Sequence, residues 1–224
     1  MTVVFFHGFL GVPDDWSFYA EHLRREGYEA LALSLEDCEV DRVPEIIPRG
    51  AHLVGYSMGG RLALHYSSLK PDWFSSLTLI STNPGLLSEE EKRERILWEK
   101  EWLLKMETLS VEQFVREWYS QPAFLGFRPP ARRFQQDKDS MVKIFRKFSI
   151  ANLPPLWDHL LQSPCRVQMI FGGLDKKYMN LKRKIEEIDT DKRIVLKTIL
   201  NRSHALHLNS PHFVLKQIAK TIRK

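Results

Sequence analysis

Residues 53–64 read LVGYSMGGRLAL. Ser57 stands between Gly55 and Gly59, with an apolar run before it and a helix-forming run after it. A buried strand that turns abruptly into a helix has this pattern. The glycines two before and two after the serine remove side chains where strand and helix cross, and the hydroxyl is left at the tip of a strained turn. The segment therefore predicts a nucleophile elbow on a strand–turn–helix unit.

Outward from this unit, the chain alternates short apolar runs with helical stretches. The runs cover residues 3–6, 30–33, 52–55, 77–80, 167–171 and 194–198. Short, nearly continuous apolar runs suit strands covered on both faces, and the alternation suits a parallel sheet wrapped by helices. Helices are expected over 14–26, with Pro13 at the start and Gly27 as C-terminal cap, over 58–69, and from about Pro211 to the end. No strand pattern is seen over 84–155. Ser88 with Glu91 and Ser110 with Gln113 are S-x-x-E/Q capping boxes, and a third helical pattern covers 132–148. The expectation is an α/β core, 1–83 and 156–224, of about six mostly parallel strands, with a helical cap inserted at 84–155.

Composition fits a globular chain: 224 residues, 43% hydrophobic, 27% charged. Cys38 and Cys165 are too far apart in sequence for a metal-ligand cluster and too few for a disulfide framework, so they read as packed thiols in a reducing compartment. The opening MTVVFFHGFLG is short, lacks a basic leader and is interrupted by His7. It reads as neither secretory signal nor membrane span, which points to the cytoplasm. The net charge is +5, and 175–193 carries many of the lysines and arginines, with acids interspersed. That stretch reads as a solvated helix face; it carries no nucleic-acid motif, although it could dock an acidic partner.

A serine needs a base, and the base an orienting acid. After an elbow of this type the acid comes next in the chain and the histidine last. His204, in LNRSHALHLNSP, comes first in the loop leaving the last strand and is the preferred base, with His207 as the alternative. Asp175, in MIFGGLDKKY, lies just beyond a strand end. It reads as the acid or as a helix N-cap. Asp189 and Asp191 precede the last strand and fall at the wrong end of the sheet. The amides of Phe9, in FFHGFLG, and of Met58 are candidate oxyanion donors. His7 reads as an organiser of that loop. No cofactor is expected, and no metal, because no His, Cys and Asp residues have ligand spacing.

HGFLG, VGYSMGGR, the Asp175 turn and the His204 loop resemble the α/β-hydrolase superfamily. NPGL at 83–86, EEEKRERILWEKEWL and FVREWYSQPAF narrow the resemblance to the 2-succinyl-6-hydroxy-2,4-cyclohexadiene-1-carboxylate synthases (MenH) of menaquinone biosynthesis. The resemblance implies a lyase that eliminates pyruvate from a succinylated cyclohexene carboxylate, with Ser57, Asp175 and His204 as triad. It also implies substrate contacts from Tyr56, Arg61, Arg95, Trp118, Tyr119 and Arg133, the last with Arg132 as a substitute. Arg61, one turn past Ser57, can lean back over it. Arginines grip carboxylates by paired hydrogen bonds, so the three arginines are expected to converge above Ser57 on a small anionic substrate.

The chain departs from the family in three places. It begins almost on the first parallel strand, without the usual antiparallel hairpin. Residues 34–50, SLEDCEVDRVPEIIPRG, are too short for the usual loop and helix. Ser203 stands where a glycine usually precedes the histidine. Two other readings therefore stay open. One is a carboxylesterase or acyl-thioesterase, for example a pimeloyl-acyl-carrier-protein methyl esterase with the acyl carrier protein as partner. The other is a non-catalytic binding protein.

Overall fold

A computed structural model describes residues 1–223. Six strands form one sheet: β1 (Thr2–Phe6), β2 (Glu29–Leu33), β3 (His52–Tyr56), β4 (Ser76–Ile80), β5 (Arg166–Gly172) and β6 (Ile194–Ile199). Every pairing is parallel, in the order β2-β1-β3-β4-β5-β6. The apolar runs of the sequence coincide with these strands to within a residue or so at each end. Those of β1, β3 and β4 are buried throughout, as expected of strands covered on both faces, whereas the edge strands β2 and β6 are partly exposed.

Neighbouring residues of a strand point to opposite faces. Phe5 stacks on Trp16 and packs at a tilt against Tyr19, and Phe6 packs edge-on against Tyr66. Helix α1 (Ser17–Arg25), which carries Tyr19, therefore lies on the face opposite α2 (Met58–Leu69), which carries Tyr66. The order reverses between β1 and β3, so their carboxyl ends form the crevice where open α/β sheets bind ligands. The loop after β1 and the elbow after β3 flank that crevice.

Two helix expectations need correction. The pattern over 14–26 is a 3-10 helix, Pro13–Trp16, followed by α1 from Ser17. Its end is as expected. Gly27, at φ +86°, closes a Schellman motif with Tyr28 N–H donating to Leu23 O and Gly27 N–H to Arg24 O. The pattern over 132–148 is likewise split. A 3-10 helix, Ala131–Gln135, precedes α5 (Lys138–Lys147), because Asp137 accepts from Ser140 N–H and restarts the helix as an N-cap.

Between β4 and β5 the described residues hold no strand. Helices α3 (Glu89–Thr108), α4 (Val111–Tyr119) and α5 rise over the carboxyl end of the sheet, and α6 (Trp157–Leu161) leads back to it. Ser110 and Gln113 make a full capping box; at α3 the Glu91 carboxylate accepts from Leu87 N–H instead of Ser88 N–H. Trp102, Phe114, Trp118 and Phe145 form one aromatic cluster, joined to the loop after β1 through Phe9. The large rings hold the helices together and to the sheet by area and edge-to-face contact. Residues 34–50 contain only a 3-10 helix, Leu35–Asp37. The chain closes with α7 (Lys176–Ile188), α8 (Leu206–Asn209) and α9 (Pro211–Ile222). Cys38 and Cys165 are free thiols. Among the described residues no helix is long and apolar enough to cross a membrane.

Candidate active site

Ser57 occupies φ 52°, ψ −111°, a conformation that costs a side-chain-bearing residue on the order of 1–3 kcal/mol. The surroundings hold it there. Ser57 N–H donates to Ile80 O at 2.8 Å, and Ser57 O accepts from Arg61 N–H at 3.1 Å to open α2. A Cβ on Gly59 would lie 2.2 Å from His7 O, and one on Gly55 2.5 Å from Gly59 O, so only glycine lets strand and helix cross this closely.

His204 is fixed from both sides. Its N–H donates to Ala123 O, and its carbonyl accepts from the Ser81 hydroxyl. Its Nδ1 lies 2.7 Å from Asp175 Oδ2 and its Nε2 3.1 Å from Ser57 Oγ. A carboxylate accepts only, so the ring proton sits on Nδ1 and Nε2 is left to accept the serine proton. Asp175 meets both readings at once. Oδ2 faces His204, while Oδ1 accepts from Tyr178 N–H at 3.3 Å and caps α7. Asp189 serves the opposite end, accepting from Arg193 and Ile194 N–H. Among the described residues, the amides of Phe9 and Met58 have no protein acceptor. They remain available for an anionic oxygen.

His207 stands apart from this chain of bonds. It is buried, and among the described residues its ring nitrogens make no hydrogen bond; the ring lies between Tyr56, 4.0 Å away, and Trp16, with Nε2 3.9 Å from Asp15 Oδ2. His7 organises the loop: Nδ1 donates to Gly8 O and Nε2 accepts from Leu35 N–H. Burial, the dominant cause, lowers its pKa to about 4. The folded protein thus holds His7 neutral, and the unfolded chain binds the extra proton first. The stability that depends on neutral His7 is fully present above about pH 6.5 and is lost as pH falls toward 4. Thermal melts are expected to show a lower Tm near pH 5 than near pH 7.5, with a shallower acid loss in His7→Gln.

A small chamber of about 110 Å³ lies over Ser57, walled by Phe9, Tyr56, Trp118, Phe124 and His204 among others. It adjoins a lateral cavity of about 470 Å³. Arg61 and Arg95 line both. Arg61 is buried, donates from Nη2 to Phe148 O and, among the described residues, has no partner for Nε. Desolvation, and then repulsion from Arg95, lowers its pKa to about 10. Arg95 donates to Glu99 Oε1 at 2.7 Å and stacks over Trp98 at 4.2 Å.

Arg133 does not join them. The expectation that it converges above Ser57 is corrected, and Arg132 does not take its place. Both guanidiniums are bound to Asp15, a fully buried carboxylate on the 3-10 helix Pro13–Trp16. An ionised carboxylate out of water needs such partners; against the upward push of burial, His207 and then the Arg133 guanidinium hold Asp15 well below the usual carboxylate range. Tyr119 belongs to this outer group. It packs on Phe124 and Phe127 beside Arg133 and does not line the chamber.

Of the residues that line both spaces, three escaped the sequence reading: Trp98, Lys177 and Tyr178. Tyr178 packs edge-on against His204 at 4.5 Å. Its position was accessible, since a residue three beyond a capping acid lies one turn into the helix and near that acid. Trp98 lies three residues beyond Arg95 on the same helix face. Among the described residues no group of three or more His, Cys, Asp or Glu is arranged to hold a metal ion.

The pattern of the alpha/beta hydrolase family matches residues 3–217. The chain belongs to the alpha/beta hydrolase family. A Photorhabdus laumondii protein named 2-succinyl-6-hydroxy-2,4-cyclohexadiene-1-carboxylate synthase is 26% identical over 212 residues, covering 81% of this chain and 73% of its own. A Bacillus subtilis (strain 168) protein provisionally given the same name is 26% identical over 246 residues, 98% of this chain and 89% of its own. Among solved structures, MenH from S. aureus superposes on this hydrolase-family chain with a TM-score of 0.84 at 23% identity, covering 100% of this chain and 93% of that one. A carboxylesterase of Nitrososphaera gargenis reaches 0.76 at 15% identity, covering 99% and 90%. The fold is common to lyase and esterase, so the side chains over Ser57 must discriminate.

Proposed function

We propose that this chain is a MenH-type carbon–oxygen lyase, acting in the cytoplasm in menaquinone biosynthesis, and that it eliminates pyruvate from a succinylated cyclohexene carboxylate. The observation that carries the reading is the pair Arg61 and Arg95 on the cavity wall beside Ser57, with Arg61 Nε unpartnered. A neutral ester gives such a pair nothing to bind, whereas a polycarboxylate does.

In this reading Ser57, His204 and Asp175 are a catalytic triad used for proton abstraction. His204 Nε2 takes the Ser57 proton, and the serine oxygen removes a ring proton from the substrate. The electron pair left on carbon forms the ring double bond and expels the enolpyruvyl oxygen, which ends as pyruvate after taking up a proton. Asp175 stabilises the imidazolium, and the amides of Phe9 and Met58 receive the charge that develops on a substrate oxygen. Residues 84–155 act as the cap that encloses the substrate. Tyr56 and Trp118 shape the chamber.

The test is pyruvate release from that substrate, read by a coupled lactate dehydrogenase assay. The triad uses no metal in this scheme, so the rate is expected to persist in excess EDTA. Loss of activity on chelation, restored by a divalent ion, would contradict the scheme. The second reading is an esterase or acyl-thioesterase. It is favoured by the Ser57–His204 hydrogen bond beside two unengaged amides, which suits acyl transfer equally well. An acyl carrier protein would be the partner to test.

A further inference from the structure

The chamber over Ser57, about 110 Å³, is below the roughly 300–1,000 Å³ of small-molecule sites. The lateral cavity, about 470 Å³, is within it. Whatever extends beyond the reacting group must enter the lateral cavity, passing the five residues that line both spaces: Arg61, Arg95, Trp98, Lys177 and Tyr178. Three of these are cations. Arg95 has Glu99 as a partner, but Lys177 has no ion pair or side-chain hydrogen bond among the described residues. Its ammonium is held below its ordinary value by partial desolvation and then by Arg95, with Arg61 adding to the repulsion. Lys184 is the fourth cation on the wall, and Glu91 and Glu94 are the two carboxylates. Glu91 is already an acceptor for Leu87 N–H. Crowded like charges in excess of their counter-ions are costly in the empty protein and favourable once an anion neutralises them.

We infer that the lateral cavity is a subsite for a carboxylate-terminated arm of the substrate, with Lys177 as the specificity-determining contact that Arg133, bound to Asp15, does not supply. The inference rests on the polycarboxylate reading above and deepens it. Lys177 lies in the first turn of α7, two residues beyond Asp175, so the element that presents the acid to His204 also presents the ammonium to the arm. Asn180 and Lys184, farther along α7, line the same cavity. A small apolar acyl group would stay in the chamber, where it has no carboxylate to offer Lys177 and does not reach Asn180 or Lys184.

The experiment is calorimetric titration with propane-1,2,3-tricarboxylate, a probe that undergoes no reaction here. The wild type is compared with Lys177→Met, and with Lys176→Met, on the adjacent exposed residue, as control. Lys177→Met is expected to weaken binding at least about fivefold, a value below that of a buried ion pair because the side chain is exposed at the cavity mouth. Lys176→Met should bind as the wild type does. In the lyase assay Lys177→Met should raise KM by a similar factor with kcat within about twofold, and Asn180→Trp, which fills the cavity, should raise KM as well. Wild-type affinity in Lys177→Met, or no binding of the tricarboxylate to the wild type, overturns the subsite. If the wild type releases no pyruvate but the two lysine variants still differ in tricarboxylate affinity, the lyase reading fails and the anionic subsite stands.

Discussion

Ser57→Ala is expected to lower kcat by on the order of 10⁴-fold or more while leaving the fold intact. The serine oxygen, 3.1 Å from His204 Nε2, is the atom that exchanges the proton in both the elimination and the acyl-transfer schemes. Alanine removes only that oxygen, from a backbone position held by the Ser57–Ile80 hydrogen bond and by the glycines on either side. His204→Ala should produce a loss of the same order, because members of a triad act as one unit and the second deletion adds little once the first is made. His207→Ala should behave differently. That ring touches Tyr56 and Trp16 but bonds to neither Ser57 nor Asp175, so its loss should lower Tm and leave kcat within about tenfold. Steady-state rates and thermal melts on the three variants check this. A His207→Ala rate as low as that of Ser57→Ala would make His207 the base.

Arg61→Ala is expected to reduce kcat/KM for a polycarboxylate substrate by roughly 10- to 150-fold, from the loss of one charge-assisted contact worth about 1.5–3 kcal/mol. Arg95→Ala should fall in the same range, nearer the lower end. Part of its guanidinium is already engaged by Glu99 and by the Trp98 ring. Turnover of p-nitrophenyl acetate by either variant should stay within a few-fold of wild type, since that ester has no carboxylate to lose. Parallel kinetics on the two substrates separate binding from architecture. Equal losses on both would mean that the arginines hold the helices over the sheet and do not grip an anion.

The sheet could be read from the chain because its signal is local. Each strand is a run of five to seven residues with its own apolar pattern, and the elbow is one short stretch, 55–59, whose geometry demands glycine at both ends. Ser57, Asp175 and His204 could be read for a related reason. Each lies in the turn or loop that leaves a strand of a parallel sheet, and parallel strands bring their carboxyl ends to one edge. What the sequence concealed was pairing across distance. Nothing near Arg133 announces that Asp15, 118 positions earlier, is buried and will take its charge. The break at Gln136 and Asp137 was masked by continuous helical periodicity, although Asp137 followed three residues later by Ser140 is a legible cap in hindsight. Lys177 looked like one more charge in a solvated face, and only the position of α7 against the cavity distinguishes it from Lys176. A residue's charge is written in the sequence, whereas its counter-ion is decided by the fold.

The most direct measurement of the central claim sets two reactions of one wild-type preparation side by side: pyruvate release from the succinylated enolpyruvyl cyclohexene carboxylate, and hydrolysis of p-nitrophenyl acetate and butyrate. The lyase account predicts rapid pyruvate release, abolished in Ser57→Ala, with ester turnover lower by orders of magnitude in kcat/KM. Efficient ester hydrolysis with no pyruvate released would contradict it and make the chain an esterase.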